Sequence, residues 1–151
     1  MNKILLGSLL SLYSLISYCQ GFNIGDSFNN TSETFDLIGI SSKDNSRIYR
    51  YKGTFPSTVF SYTVDKFEIK VHKGLIVSLH FVLNPKDNTG VIPKSLIEQI
   101  KIKSGTDPTI KDSKYYFDEY TSRTGVYRDD LPQYGGDRIF IMVISKDYLY
   151  K

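Results

Sequence analysis

The clearest alternation of apolar and polar positions runs from Asp65 to Leu83. Phe67, Ile69 and Val71 alternate with Lys66, Glu68 and Lys70. After Lys73-Gly74, Leu75, Val77, Leu79, Phe81 and Leu83 alternate with Ile76, Ser78, His80 and Val82. A period of two on both sides of a glycine turn predicts a β-hairpin. A two-residue loop would set Ile69 opposite Ser78 and Phe67 opposite His80, mixing the faces. A three-residue loop with Gly74 left-handed pairs Val71 with Leu75, Ile69 with Val77 and Phe67 with Leu79, and this is the register expected.

The pattern changes after the turn-rich run Asn84 to Gly90. Leu96, Ile97 and Ile100 fall on one side of a helical wheel, Ser95 and Glu98 have capping-box spacing, and Gly105 with Pro108 stops the run. A helix over 95–104 is expected, packed on one face of a sheet. Tyr115 to Tyr120, Gly125 to Arg128 and Arg138 to Ser145 read as further strands. The last is apolar on both faces and is expected to lie centrally in a sheet or beneath the helix. Arg47 to Lys52 and Thr58 to Val64 also read as strands. Ser32 to Ile40 fits either a strand or a short helix near 32–39, and the helix is preferred. The expected fold class is α+β: an antiparallel β-meander sheet with these helices.

The amino terminus has a different pattern. Lys3 precedes a nearly continuous apolar stretch, Ile4 to Ile16, and small residues at Ser17 and Cys19 lead to Gln20. This is the layout of a bacterial-type secretory signal, and its roughly 13 apolar residues fall short of the ~20 that a spanning helix needs. Residues 1–19 are expected to be a signal peptide and 20–151 a single domain, periplasmic or secreted, with no transmembrane segment in the mature chain. Acylation of a retained Cys19 is the competing outcome, and Tyr18 weighs against it because the residue before a lipidated cysteine is normally small.

Removing residues 1–19 takes away the only cysteine, so disulfide-scaffold, thioredoxin-like and four-cysteine zinc chemistries are excluded for the mature product. The same cut takes Lys3 from 19 bases against 16 acids, and the charge falls from +3 to +2. Nucleic acid is therefore not an expected partner. Twelve Tyr and nine Phe with no Trp suit half-buried sheet surfaces.

Candidate chemistry is sparse. Gly25-Asp26-Ser27-Phe28 resembles the start of the block carrying the nucleophilic serine of GDSL-type esterases. That family also has a buried strand before the block and a distant Asp-x-x-His. Here only Gln20 to Ile24 precede Gly25 in the mature chain, and neither His72 nor His80 has an Asp three residues before it. The block reads instead as a turn. His72 at the turn and His80 along the return strand lie roughly 17 Å apart at ~3.4 Å per residue, too far to share a metal. Asp118 and Glu119 are neighbours on a strand and face opposite ways, so they cannot flank one glycosidic bond. Arg47 to Lys52 interleaves bases with tyrosines and reads as a strand with one wetter face.

The segment Asp129 to Asp137 reads as a connecting loop with three carboxylates and a tyrosine. Asp129, Asp130, Tyr134 and Asp137 are its candidate binding residues. It has no EF-hand spacing, and no metal, cofactor or catalytic residue is expected. The expected function is an exported, non-enzymatic binding module for a protein or envelope component. The alternative is a small envelope-acting hydrolase whose site is assembled from dispersed residues.

Overall fold

The computed structural model describes residues 22–29, 34–53 and 58–150. The expected signal segment, with Cys19, lies outside these residues, as does Ser32. The elements in chain order are β1 (Phe35–Ile40), β2 (Arg47–Tyr51), β3 (Thr58–Val59), β4 (Tyr62–His72), β5 (Leu75–Leu83), α1 (Lys94–Ser104), β6 (Thr109–Lys111), β7 (Lys114–Asp118), β8 (Ser122–Leu131), a 3-10 turn at Pro132–Tyr134, β9 (Gly136–Ser145) and α2 (Lys146–Leu149). Among the described residues the fold is mostly antiparallel sheet with two short helices, rather than the α+β balance expected.

The strands form one sheet in the order β1-β2-β4-β5-β9-β8-β7-β6, with β3 paired to β4. It consists of two four-stranded meanders, each hydrogen-bonded in chain order, joined through their last strands β5 and β9. The doubly apolar β9 thus lies centrally, between β5 and β8, as its composition requires.

Two-residue turns explain several departures from the expected elements. Lys73-Gly74 has positive φ at both residues (51° and 79°), and His72 pairs with Leu75. This is the two-residue type I′ loop, not the three-residue one. The faces do not mix because a bulge at Val77 resets the register: Val71 pairs with Ile76, Lys70 with Ser78, Ile69 with Leu79 and Phe67 with Phe81. The expected strand over 58–64 is broken by a second such turn at Phe60-Ser61 (49° and 65°), whose Phe60 ring is buried in the core. A third turn, Asp112-Ser113, folds back the short strand β6, which the sequence pattern did not reveal.

The expected early helix is also corrected: Phe35–Ile40 is the edge strand β1, paired with β2. Phe35 lies edge-on to Phe22 and Phe28, at 5.3 and 5.4 Å between ring centroids, and close to Phe67. That aromatic contact between distant segments outweighs a weak local helix pattern. The helix α1 begins one residue before the expected bound. Pro93 is its N-cap and no side chain caps it, so the Ser95–Glu98 box is not formed. Gly105 ends it in the left-handed conformation, as its position suggested (φ 68°).

Cross-strand partners share a face, so the register divides the sheet into two surfaces. The first face carries Tyr49, Phe67, Ile69, Leu79, Phe81, Phe117, Val126 and Ile141, which form a single buried cluster with Leu96, Ile97 and Ile100 of α1. Burying each such side chain stabilises by about 1.5–3 kcal/mol. The second face carries Arg50, Glu68, His80, Met142, Phe140, Tyr127 and Tyr116. No helix among the described residues is long and apolar enough to cross a membrane.

Candidate functional site

The segment 129–137 is less of a loop than its sequence suggested. Asp129 to Leu131 belong to β8 and Gly136-Asp137 to β9, so only Pro132–Tyr134 and Gly135 make the connection. Gly135 and Gly136 both have positive φ (83° and 100°), which is why a tight return needs glycine here. Asp137 is taken up by an ionic hub. Arg128, whose side chain is only 2 % exposed, donates Nη2 and Nε to it at 2.6 and 2.9 Å. The same guanidinium donates to Asp87 Oδ1 at 2.9 Å and to the carbonyls of Asp87 and Val91 at 2.6 Å. One arginine therefore ties the turn region 87–91 to the β8–β9 hairpin. Its donors hold the Asp137 carboxyl below the usual carboxylate range and, with Thr89, bring Asp87 down to about 2.

Tyr134 turns back over the second face. Its hydroxyl donates to Glu68 Oε2 at 3.2 Å, its ring meets Phe140 edge-on at 5.2 Å, and Lys66 Nζ sits 5.1 Å above it. Burial and the adjacent Glu68 carboxylate raise the phenol's pKa. Asp129 and Asp130 remain exposed at the hairpin end. The four candidate residues thus do not form one cluster: Tyr134 and Asp137 make separate structural contacts, on Glu68 and Arg128.

The centre of the second face holds a partly buried ion pair that the strand pattern did not reveal. Glu68 is almost fully buried there and takes Arg50 Nη2 and Nε on one oxygen at 2.6 and 2.9 Å, leaving the other to Tyr134. His80 pairs with Glu68 across the strands. Its burial lowers the imidazole pKa against the pull of Glu68, which keeps the ring neutral near pH 7. Beside them Tyr127 stacks on Phe140 at 4.8 Å and 9°, with Lys114 Nζ 5.0 Å from the Tyr127 centroid, and Arg123 lies 5.9 Å over Tyr116. Gly125 pairs with Tyr116, and the space of its missing side chain is flanked by the Tyr116 ring and the Met142 methyl. The result is a half-buried aromatic surface rimmed by cations. Lys114 and Tyr116 in β7, and Arg123 and Tyr127 in β8, each lie an even number of residues apart and so share a side of their strand, but they become a surface only through cross-strand pairing.

At the other end of β9, Tyr148 of α2 donates to the Asp44 carboxylate, which also accepts from Ser46 N and Oγ at 3.1 and 2.7 Å. These donors, Tyr148 first, hold the Asp44 carboxyl well below its usual range. Asp44 and Tyr148 line a groove of about 360 Å3 together with Lys70 and His72. Here a histidine and a carboxylate share one concavity, but an acceptor so strongly stabilised as the anion is a weak general base near neutral pH.

The remaining candidates have structural roles. Ser27 bridges to Leu75, and Asp26 accepts from Asn23 N and Nδ2, so the Gly-Asp-Ser block is a turn clamped onto the β4–β5 hairpin. Asp118 pairs with Arg123 on the second face while Glu119 reaches Thr124 on the first, so the two diverge. Among the described residues no three or more His, Cys, Asp or Glu side chains gather to hold a metal ion. No family model, curated protein or solved structure matches the chain, so a functional reading rests on the chemistry of these surfaces alone.

Proposed function

We propose that the protein is an exported, non-enzymatic binding module, released as residues 20–151 after loss of the 1–19 signal segment. In this reading α1 covers the first face of a single domain, and the second face contacts a protein or envelope partner. The observation that carries it is the half-buried pair Tyr116 and Tyr127, the latter stacked on the buried Phe140, beneath Lys114 and Arg123. Tyrosine, phenylalanine, methionine and arginine are enriched where proteins meet: all four bring large apolar area, and tyrosine and arginine add a polar tip. Asp129 extends the same face at the hairpin end, and Asp130 lies beside it. Such a surface needs neither metal nor cofactor.

A competing hydrolase reading can draw on the Asp44–His72–Tyr148 groove, where the carboxylate is poorly suited to take a proton. The test is recovery of partners from envelope and culture-supernatant extracts by the wild-type protein and by a Tyr116→Ala/Tyr127→Ala variant whose folding is checked by its melting curve. A specific partner lost by the variant supports the second-face reading. Equal recovery moves the interface elsewhere, and hydrolysis of envelope polymer that disappears in His72→Ala favours the enzyme. Amino-terminal sequencing of the exported product is expected to begin at Gln20.

A further inference from the structure

The end of the sheet that carries the Lys73-Gly74 turn collects cationic side chains from four places in the chain. Lys43 comes from the 41–46 turn, Arg47 from the start of β2, Lys70 from the end of β4, and Lys73 from the turn itself. Of the carboxylates at this end, Asp44 is occupied by Ser46 and Tyr148, with Lys70 Nζ at 3.9 Å, and Asp26 accepts from Asn23. Lys43, Arg47 and Lys73 have no carboxylate within ion-pair distance among the described residues. In a chain of formal charge +3 this is a local concentration of uncompensated cations.

The charge surrounds shaped space. A groove of about 510 Å3 has Phe28, Tyr49 and Val71 on its floor and Arg47, His72 and Lys73 on its rim. The 360 Å3 groove on the second face, bounded by Lys43, Lys70 and Tyr148, shares Asp44 and His72 with it. The cations therefore do not converge on one point, as they would around a single phosphate. They are spread along two concavities that meet at the sheet end, one with an aromatic and aliphatic floor.

We propose that this end of the sheet binds an extended acidic peptide segment of a partner protein. Its carboxylates lie against Arg47, Lys73 and Lys43, and an apolar side chain rests on the Phe28–Tyr49–Val71 floor. An extended chain presents alternate side chains to opposite sides, so acid and apolar groups in alternation match a charged rim above an apolar floor. The site is separate from the second-face aromatic row and depends on other residues, so either surface can fail without the other.

The test is titration of the purified full chain with a synthetic peptide of alternating Glu and Leu, followed by amide chemical shifts and calorimetry. A Lys–Leu peptide and inorganic phosphate serve as comparisons. The acidic peptide is expected to shift residues 43–47 and 70–74. Its affinity should fall roughly tenfold between about 50 and 500 mM NaCl and by a similar factor in Arg47→Gln/Lys73→Asn, in which Asn suits the left-handed turn position. Shifts elsewhere, or unchanged affinity in the double variant, overturn the proposal. Phosphate that shifts the same residues with the affinity of the peptide shows a small-anion site and overturns the peptide reading. Tyr116→Ala/Tyr127→Ala is expected to leave this titration unchanged.

Discussion

The two ends of the central strand β9 differ in how their charges are used. At the β8–β9 hairpin end, conspicuous in sequence for its aspartates, Asp137 is held by Arg128 and Tyr134 by Glu68. At the opposite end, where lysines and an arginine are scattered over thirty residues of sequence, Lys43, Arg47 and Lys73 find no carboxylate among the described residues. A charged segment is a candidate site only after its internal partners are subtracted. That subtraction needs the pairing of strands far apart in the chain.

The comparison fails if the hairpin end is not held by its ion pairs, and the largest effect tests that. Arg128→Ala removes the nearly buried guanidinium together with its bonds to Asp137, Asp87 and two carbonyls. It is expected to cost about 3 kcal/mol in urea unfolding. Arg128→Lys should recover little of this, because a single ammonium cannot reproduce the fork. A loss under about 0.5 kcal/mol in Arg128→Ala would make the hub incidental. Arg50→Ala should cost less, about 2 kcal/mol. It leaves the Glu68 carboxylate, 4 % exposed, with Tyr134 alone, but Arg50 is itself about a third exposed and screened by solvent. Tyr134→Phe removes one hydrogen bond while keeping the ring on Phe140, for about 1 kcal/mol.

Acid sharpens the same contrast. Asp87, at about 2, and Asp137, also lowered, have folded pKa values beneath the ordinary carboxylate range. A depressed folded value means that the stabilisation is fully present above the unfolded pKa of about 4 and is lost as pH falls through the folded values. Unfolding followed from pH 5 to pH 2 should show stability declining across that window. The decline should be shallower in Asp87→Asn, whose amide cannot titrate. An identical slope in the variant would mean that other carboxylates dominate acid unfolding.

What the sequence revealed follows the range of the interactions involved. The β4–β5 hairpin, the central place of β9 and the helix with Leu96, Ile97 and Ile100 inward were legible, because each depends on local period and burial. The hairpin register departs from the expected one because the bulge at Val77 reconciles a two-residue turn with unmixed faces, and strand alternation alone does not show a bulge. Strand β1 was misread because Phe35 owes its place to Phe22, Phe28 and Phe67. Of the candidate binding residues, Asp129 and Asp130 are exposed, but at the end of strand β8 rather than in a loop. Tyr134 and Asp137 have partners, Glu68 and Arg128, whose facing positions no single strand pattern could reveal.

The smallest expected effect tests the other side of the comparison. Arg47 stands at the first position of β2, exposed, with Val71 as its cross-strand partner and no ion pair among the described residues. Arg47→Gln keeps the length and much of the aliphatic stem and discards only the charge. If the cation is free in the folded protein, stability in urea should change by no more than about 0.5 kcal/mol, as is usual for a surface position outside any network. A loss approaching that of Arg50→Ala would show that Arg47 has a structural partner. The basic end would then be as internally committed as the acidic one, and the distinction between the two ends would collapse. If stability is unchanged while affinity for an acidic peptide falls, the charge is held at the sheet end without contributing to the fold.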